Sequence, residues 1–236
     1  MNRRTFLASS LGAGAAGWRS APAAATRPPN IVVVLCDDLG YGDASCYGHA
    51  VIRTPHLDRF AAEGMRLTDC YAASPVCSPS RAGLLTGRVP DRAGIFNWIP
   101  MEPCAMHLRR EEVTFPRLLK GAGYRTCLSG KWHLNGALGR DNAQAQPGDH
   151  GFDHWFASGA WATPSQHNPD NFVRNGMPCG PIRGYSSTII MEEALGWLDR
   201  AGTSAPFCLL VAFQAPHERI ASDPKYVRPY ARRPHK

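Results

Sequence analysis

Short apolar runs alternate along the chain with stretches in which apolar residues recur every third or fourth position. Ile31 to Cys36 is apolar without a break, the pattern of a strand buried on both faces. Thr54-Pro55 then opens a segment carrying Leu57, Phe60 and Ala61 before Gly64, which reads as a capped, proline-started helix with a glycine stop. Met65 to Tyr71 has the spacing of a strand. Thr114 to Lys120, closed by Gly121 and Gly123, reads as a short helix and Tyr124 to Leu128 as the next strand. From Ser186 to Arg200, Ile189, Ile190, Leu195, Trp197 and Leu198 form a broad helical face, followed by the apolar strand Phe207 to Phe213. Asp141 to Gly184 is rich in Gly, Pro, Asn and His and reads as a long loop. This alternation predicts an α/β fold with a central, mostly parallel sheet flanked by helices on both faces.

Composition agrees with one globular core: 44% of the 236 residues are hydrophobic and 19% charged, as in ordinary soluble domains. The formal net charge of +7 suits an anionic ligand, but no Lys/Arg run with interleaved aromatics is present, so no nucleic-acid partner is expected. The Arg228 to Lys236 cluster reads as a solvated tail. Eight cysteines would ordinarily suggest disulfides in an exported chain. Cys36 and Cys208 lie inside apolar runs, however, and few disulfides or none are expected.

Arg3-Arg4-Thr5-Phe6-Leu7 is a twin-arginine pattern, followed by a weakly apolar stretch to Trp18, the basic Arg19 and small-residue cleavage candidates at Ala23 or Ala25. Residues 1–25 therefore read as a Tat-type signal, which implies the Tat export machinery as a partner and a periplasmic or secreted destination. At about a dozen residues the apolar run falls short of the roughly 20 that span a bilayer, and no stable membrane span is expected elsewhere. Gly12 to Gly17 matches G-x-G-x-x-G, but no strand precedes it, so the match carries no dinucleotide site.

The candidate chemistry sits where ligands collect in parallel sheets, at the carboxyl ends of strands. Asp37-Asp38 directly follows the first strand, and two adjacent carboxylates at a buried strand end repel unless a cation lies between them. Oxygen donors favour Ca²⁺, with Mg²⁺ the second choice, over a thiophilic metal. Cys104-Ala105-Met106-His107 offers too few soft ligands for zinc. Lys131 and His133 follow the strand ending near Leu128, and His217 follows the strand ending near Phe213. Cys77 is followed two residues on by Pro79, preorganised for a first helical turn, and four residues on by Arg81. This spacing places Cys77 at an anion-binding helix mouth. A tyrosine-phosphatase loop would need an arginine where Gly83 stands.

The run Cys77-Ser78-Pro79-Ser80-Arg81-Ala82-Gly83-Leu84-Leu85-Thr86-Gly87-Arg88 resembles the sulfatase signature C-x-P-S-R-x-x-x-L-T-G-R at every defined position. Pro29 to Gly42, Gly130-Lys131-Trp132-His133-Leu134, Gly151-Phe152-Asp153-His154-Trp155-Phe156 and Ala215-Pro216-His217 resemble further motifs of that family, in its order. The resemblance implies an alkaline-phosphatase-like fold and hydrolysis of sulfate esters by a formylglycine made from Cys77. A formylglycine-generating or anaerobic sulfatase-maturing enzyme would be the partner that makes it. It further implies a calcium or magnesium ion held by Asp37, Asp38 and the residue at 77. Arg81 and Lys131 would neutralise charge, His133 would accept a proton during elimination, and His217 would protonate the leaving oxygen. The family's later D-N-G or D-H-G motif is not found; Asp170-Asn171-Phe172 has the dipeptide without the glycine. The resemblance thus implies that 26–236 is an incomplete amino-terminal catalytic domain, with the carboxy-terminal part of the family fold missing.

Trp98, Trp155, Trp161 and His167 are candidates for an aromatic wall against a sugar or aryl ring, with core packing the alternative. Export and the long loop favour sulfated carbohydrates over aryl sulfates as substrate. Three other readings stay open: a phosphonate or phosphodiester hydrolase on the same scaffold, a truncated chain that only binds sulfated glycans, and a disulfide-stapled structural protein.

Overall fold

The computed structural model describes residues 27–102, 106–139, 143–202 and 204–231. The twin-arginine segment and Cys104 lie outside them. Six strands form one sheet: β1 (Ile31–Asp37), β2 (Arg125–Lys131), β3 (His154–Ser158), β4 (Val173–Arg174), β5 (Met177–Pro178) and β6 (Phe207–Pro216). Their spatial order is β1-β6-β2-β3-β4-β5. The first four in that order run parallel, and β4 and β5 add an antiparallel hairpin at the far edge.

The period-2 pleat divides the core. Leu128 and Leu210 face α2 (Cys77–Thr86), where Ala82 and Leu85 pack with them. Cys127, Leu209 and Val211 face the opposite side, under Ile189, Ile190, Ala194 and Trp197 of α4 (Ser186–Ala201). Helices therefore cover both faces, as the β/α alternation predicts. The remaining helices are α1 (Pro55–Glu63), α3 (Phe115–Gly121) and α5 (Pro224–Val227). Proline sits in the first turn of each, where its missing N–H costs nothing.

Three expectations are corrected. β1 is an edge strand in the described sheet, and Val32 and Val34 are 53% and 60% exposed because α4 lies over β6 and β2 and leaves this part of the sheet open. Met65 to Tyr71 forms no strand; Met65 and Tyr71 are more than four-fifths exposed, with no neighbouring strand to supply ladder hydrogen bonds. The stretch read as a loop from Asp141 to Gly184 contains β3, β4 and β5, since His154–Ser158 pairs with all of Cys127–Lys131 in parallel register. The seven described cysteines are all unpaired. No helix of the described residues is long and apolar enough to cross a membrane.

Candidate functional site

The floor of the site is a buried charge cluster where three elements end. Asp37, the last residue of β1, accepts a hydrogen bond at 2.5 Å from Lys131 Nζ, at the end of β2, and one at 3.3 Å from Arg81 Nη2 on α2. Arg81 Nη1 also donates to the Lys131 carbonyl at 2.7 Å. All three side chains are at most 6% exposed. Burial alone would raise the Asp37 pKa, but the charges of Arg81 and Lys131 outweigh it and hold the carboxyl below its ordinary value. Burial, followed by the neighbouring Arg81 charge, holds the Lys131 amine below the usual lysine value.

Lys131 reaches the floor because β2 continues three residues beyond Leu128, to Lys131 itself. Gly130 permits this. Its φ is +119°, and a Cβ there would lie 1.9 Å from the Ala212 carbonyl oxygen of β6, so only glycine lets the two strands approach.

Cys77 is the first residue of α2, after Val76, which has extended dihedrals. The backbone N–H groups of this first turn lack intrahelical partners and carry the positive end of the helix dipole. Cys77, Asp37, Asp38, Ser80 and Arg81 border one cavity of about 220 Å³. The other end of the twelve-residue run is structural. Gly87 caps α2 in a left-handed conformation, its N–H donating to the Gly83 carbonyl at 2.8 Å, and Arg88 pairs at 2.5 Å with the buried Glu112.

His133 stands just past Lys131, 2% exposed, in a left-handed conformation with φ 53°. Its Nε2 lies 2.9 Å from the Ile99 carbonyl, which can only accept, so Nε2 carries the proton. Nδ1 is left with its lone pair and no hydrogen-bond partner among the described residues. Burial, then the Lys131 charge, pulls the pKa of the ring down to about 3.

The rim differs from the floor. Asp38 has φ 64° and a side chain 59% exposed, and its Oδ2 is 3.7 Å from His217 Nε2. The seven residues singled out from the sequence, Asp37, Asp38, Cys77, Arg81, Lys131, His133 and His217, thus come together at one end of the sheet. Two carboxylates suit a hard divalent cation in donor type, but among the described residues no group of three or more His, Cys, Asp or Glu side chains is arranged to hold a metal. Asp37 is moreover already paired with two cations.

Supporting residues escaped the sequence reading. Ser78, inside the cysteine run, accepts from the Ile99 N–H at 3.1 Å and so fixes the residue whose carbonyl orients His133. Gln166 donates from Nε2 to the His217 carbonyl at 2.7 Å; its separation of 51 residues leaves no signal in the chain. Of the four aromatic candidates, Trp155 is core, 6% exposed, and His167 stacks on Tyr185. Trp98 is 45% exposed, and Trp161 borders a cavity beside His217.

Fold and site together define an α/β protein with a cluster of charged side chains beside a cavity at the carboxyl ends of parallel strands. The sulfatase family profile matches residues 29–236, and the chain belongs to that family. Pig (Sus scrofa) N-acetylgalactosamine-6-sulfatase is 39% identical over 244 residues, covering 89% of this chain and 43% of the pig protein. Mouse (Mus musculus) steryl-sulfatase is 48% identical over 138 residues, covering 56% of this chain and 22% of the mouse protein. The structure of Ps i-CgsB in complex with k-i-k-neocarrahexaose matches with a TM-score of 0.79 at 28% identity, over 89% of this chain and 50% of that one. The fold is the α/β, alkaline-phosphatase-like one of the sulfatases. The chain spans less than half the length of these two curated relatives.

Proposed function

We propose that the protein, whole, hydrolyses sulfate esters of carbohydrates, with Cys77 matured to formylglycine by a partner enzyme after Tat-directed export to the periplasm or beyond. The observation that carries this reading is the convergence of a helix-mouth cysteine, a buried Arg81–Asp37–Lys131 cluster and two histidines in family motifs. Formylglycine, as the hydrated diol, supplies one hydroxyl to attack sulfur and a second whose deprotonation expels sulfate. By the family resemblance, Asp37, Asp38 and the residue at 77 would hold a calcium or magnesium ion once Asp37 is shared with Lys131 and Arg81, and the ion would supply Lewis-acid stabilisation of the sulfate oxygens.

The chain's own residues supply the rest. Arg81 and Lys131 outnumber Asp37, so the floor carries one net positive charge toward an ester whose oxygens gain charge as sulfur is attacked. Their pairing with Asp37 holds both heads in place, so little reorganisation is needed when the charge develops. His133, held by Ile99 with Nδ1 unprotonated, is in the correct tautomer to accept a proton there. His217, on the rim, donates from Nε2 to the departing alcohol oxygen. Protonation of the alcohol oxygen by His217 belongs to cleavage of the ester and uptake of the second hydroxyl's proton by His133 to release of sulfate, so the two histidines serve separate steps.

Mass spectrometry of the peptide containing Cys77, after co-expression with a maturing enzyme, tests the modification: an unmodified cysteine would overturn it. Paired rates on a sulfate and a phosphonate ester test the reaction, and faster phosphonate cleavage would replace the sulfatase reading with the phosphorus one.

A further inference from the structure

His217 stands on the open rim, yet its main chain is fixed on both sides. Its N–H donates to the Gln214 carbonyl at 3.0 Å, and its carbonyl accepts from Gln166 Nε2 at 2.7 Å. A third contact sets the ring, with Nδ1 against the Glu218 carbonyl. A carbonyl can only accept, so Nδ1 carries a proton there, and Nε2 is the nitrogen that lies 3.7 Å from Asp38. Of these three partners, Gln214 and Glu218 are near neighbours of His217 in the chain. Gln166 comes from 51 residues earlier.

Gln166 is itself held by α4. Ser186 is the first residue of that helix, so its N–H has no intrahelical partner; it donates to the Gln166 carbonyl at 2.7 Å. Ser186 Oγ donates to Gln166 Oε1 at 3.2 Å. The flanking residues close the same seam. His167 stacks on Tyr185 with ring centroids 4.5 Å apart, and the Asn168 N–H donates to the Gly184 carbonyl at 2.7 Å. Gln166 and Ser186 are 4% and 1% exposed, so solvent does not stand in for either bond. The amide can face only one way, because reversing it would set Oε1 against the His217 carbonyl, acceptor against acceptor.

We propose that Gln166 is a positioning residue for His217: it transmits the fixed position of α4 to the His217 main chain and so holds Nε2 where a departing alcohol oxygen takes its proton. The proposal rests on the sulfatase reading for the role of His217. A group at the end of a strand keeps a productive geometry only when a rigid element supports it. Here α4, 16 residues long and packed on the sheet, is that element. Without the Gln166 bond, His217 keeps only contacts to residues next to it in the chain, and a displacement of about 1 Å at a reacting group costs up to about 100-fold in rate.

Leaving groups separate this role from plain support of the fold. An alkyl alcohol departs as a strongly basic alkoxide unless it is protonated, whereas 4-nitrophenolate departs without help. Gln166→Met keeps the length of the side chain and removes both amide bonds. In the matured whole protein it should lower kcat/KM, which covers the steps through ester cleavage, about 10- to 100-fold for a sugar 6-sulfate. For 4-nitrophenyl sulfate the loss should stay below about threefold, since that cleavage draws little on the acid. Equal losses on the two esters, or none on either, would overturn the proposal. Should Gln166→Met fail to fold, Ser186→Ala, which frees Oε1 but leaves the donor to His217, must show the same split at smaller size, and its absence would overturn the proposal too. If the parent cleaves neither ester, the hydrolase reading falls, and nitrogen relaxation of the 236-residue chain decides the positioning role. The backbone order parameter of His217 should then drop in Gln166→Met from the rigid value of about 0.85 toward 0.6; an unchanged value would remove Gln166 from the support of His217.

Discussion

Asp37 and Asp38 are adjacent and chemically identical, yet the fold puts them in opposite surroundings. Asp37 lies under two cations in a floor whose three side chains are at most 6% exposed. Asp38, one residue on, has turned out of the strand at φ 64° and shares the open rim with His217. The difference separates two tasks. Floor charges are fixed by mutual pairing and suit a constant field on a bound anion, whereas rim groups can exchange protons and ligands with solvent. The largest effect should come from the residue between them. Cys77→Ala, in the whole protein, should lower sulfate ester turnover by several powers of ten, as removal of a covalent route does, and Cys77→Ser should be nearly as poor. Initial rates would show it; more than about a hundredth of the parent rate would remove Cys77 from the chemistry.

Next comes the floor itself. Asp37→Asn leaves Lys131 and Arg81 buried against each other without an anion, and breaking a buried pair in this way costs about 3–5 kcal/mol. Urea unfolding monitored by circular dichroism should register the loss. A change below about 1 kcal/mol would mean that water reaches the floor and that the two aspartates differ less than their exposures imply.

Much of this contrast was legible in the chain and some of it was not. The motifs fixed which residues converge, because each lies at or just past the end of a parallel strand or in the first turn of a helix. The split between Asp37 and Asp38 was illegible, since it depends on where β1 ends and on which side of that end α2 brings Arg81. β1 itself misled: six apolar residues in a row read as a strand buried on both faces, but burial depends on neighbours, and α4 does not reach over Val32 and Val34. β3 was hidden among Gly, Pro and Asn because the short buried strand His154–Ser158 begins with a polar residue and ends with one. Gln166 could be found only in three dimensions.

Burial without pairing provides a sharper test of why Asp37 stays charged. His150 is fully buried beside Trp132, with ring centroids 5.6 Å apart. Burial, then the nearby Arg117 charge, pulls its pKa down to about 4 from 6.5. The folded ring therefore remains neutral to about pH 4, while the unfolded ring takes a proton near 6.5. The unfolded state binds more protons between those values, so stability falls as pH drops through that window, by roughly 3 kcal/mol in all. His150→Phe should flatten this part of a pH series of unfolding free energies. An unchanged slope would assign acid sensitivity elsewhere, with the loss of the Asp37 pairing at lower pH the first candidate.

The smallest effect on stability is expected on the rim, and there the readout is the ion. Asp38→Asn should change unfolding free energy by less than about 0.5 kcal/mol, as for most exposed substitutions, because its side chain is 59% exposed and its closest approach to a basic side chain among those described is 3.7 Å, to His217. Cation affinity should respond more. Asp37 is already neutralised by Lys131 and Arg81, so the rim carboxylate supplies most of the attraction for a divalent ion, and two carboxylates leave the rest of the shell to water. Calcium should accordingly bind the 236-residue chain weakly, with a dissociation constant on the order of 1 mM. Asp38→Asn should remove binding that calorimetry can detect. Zinc should bind no tighter than calcium at this site, because among the described residues no three His, Cys, Asp or Glu side chains are arranged as the tetrahedral set that zinc prefers. Stoichiometric zinc in the purified protein, or calcium binding unaltered by Asp38→Asn, would show that the ion sits elsewhere and that the rim serves His217 alone.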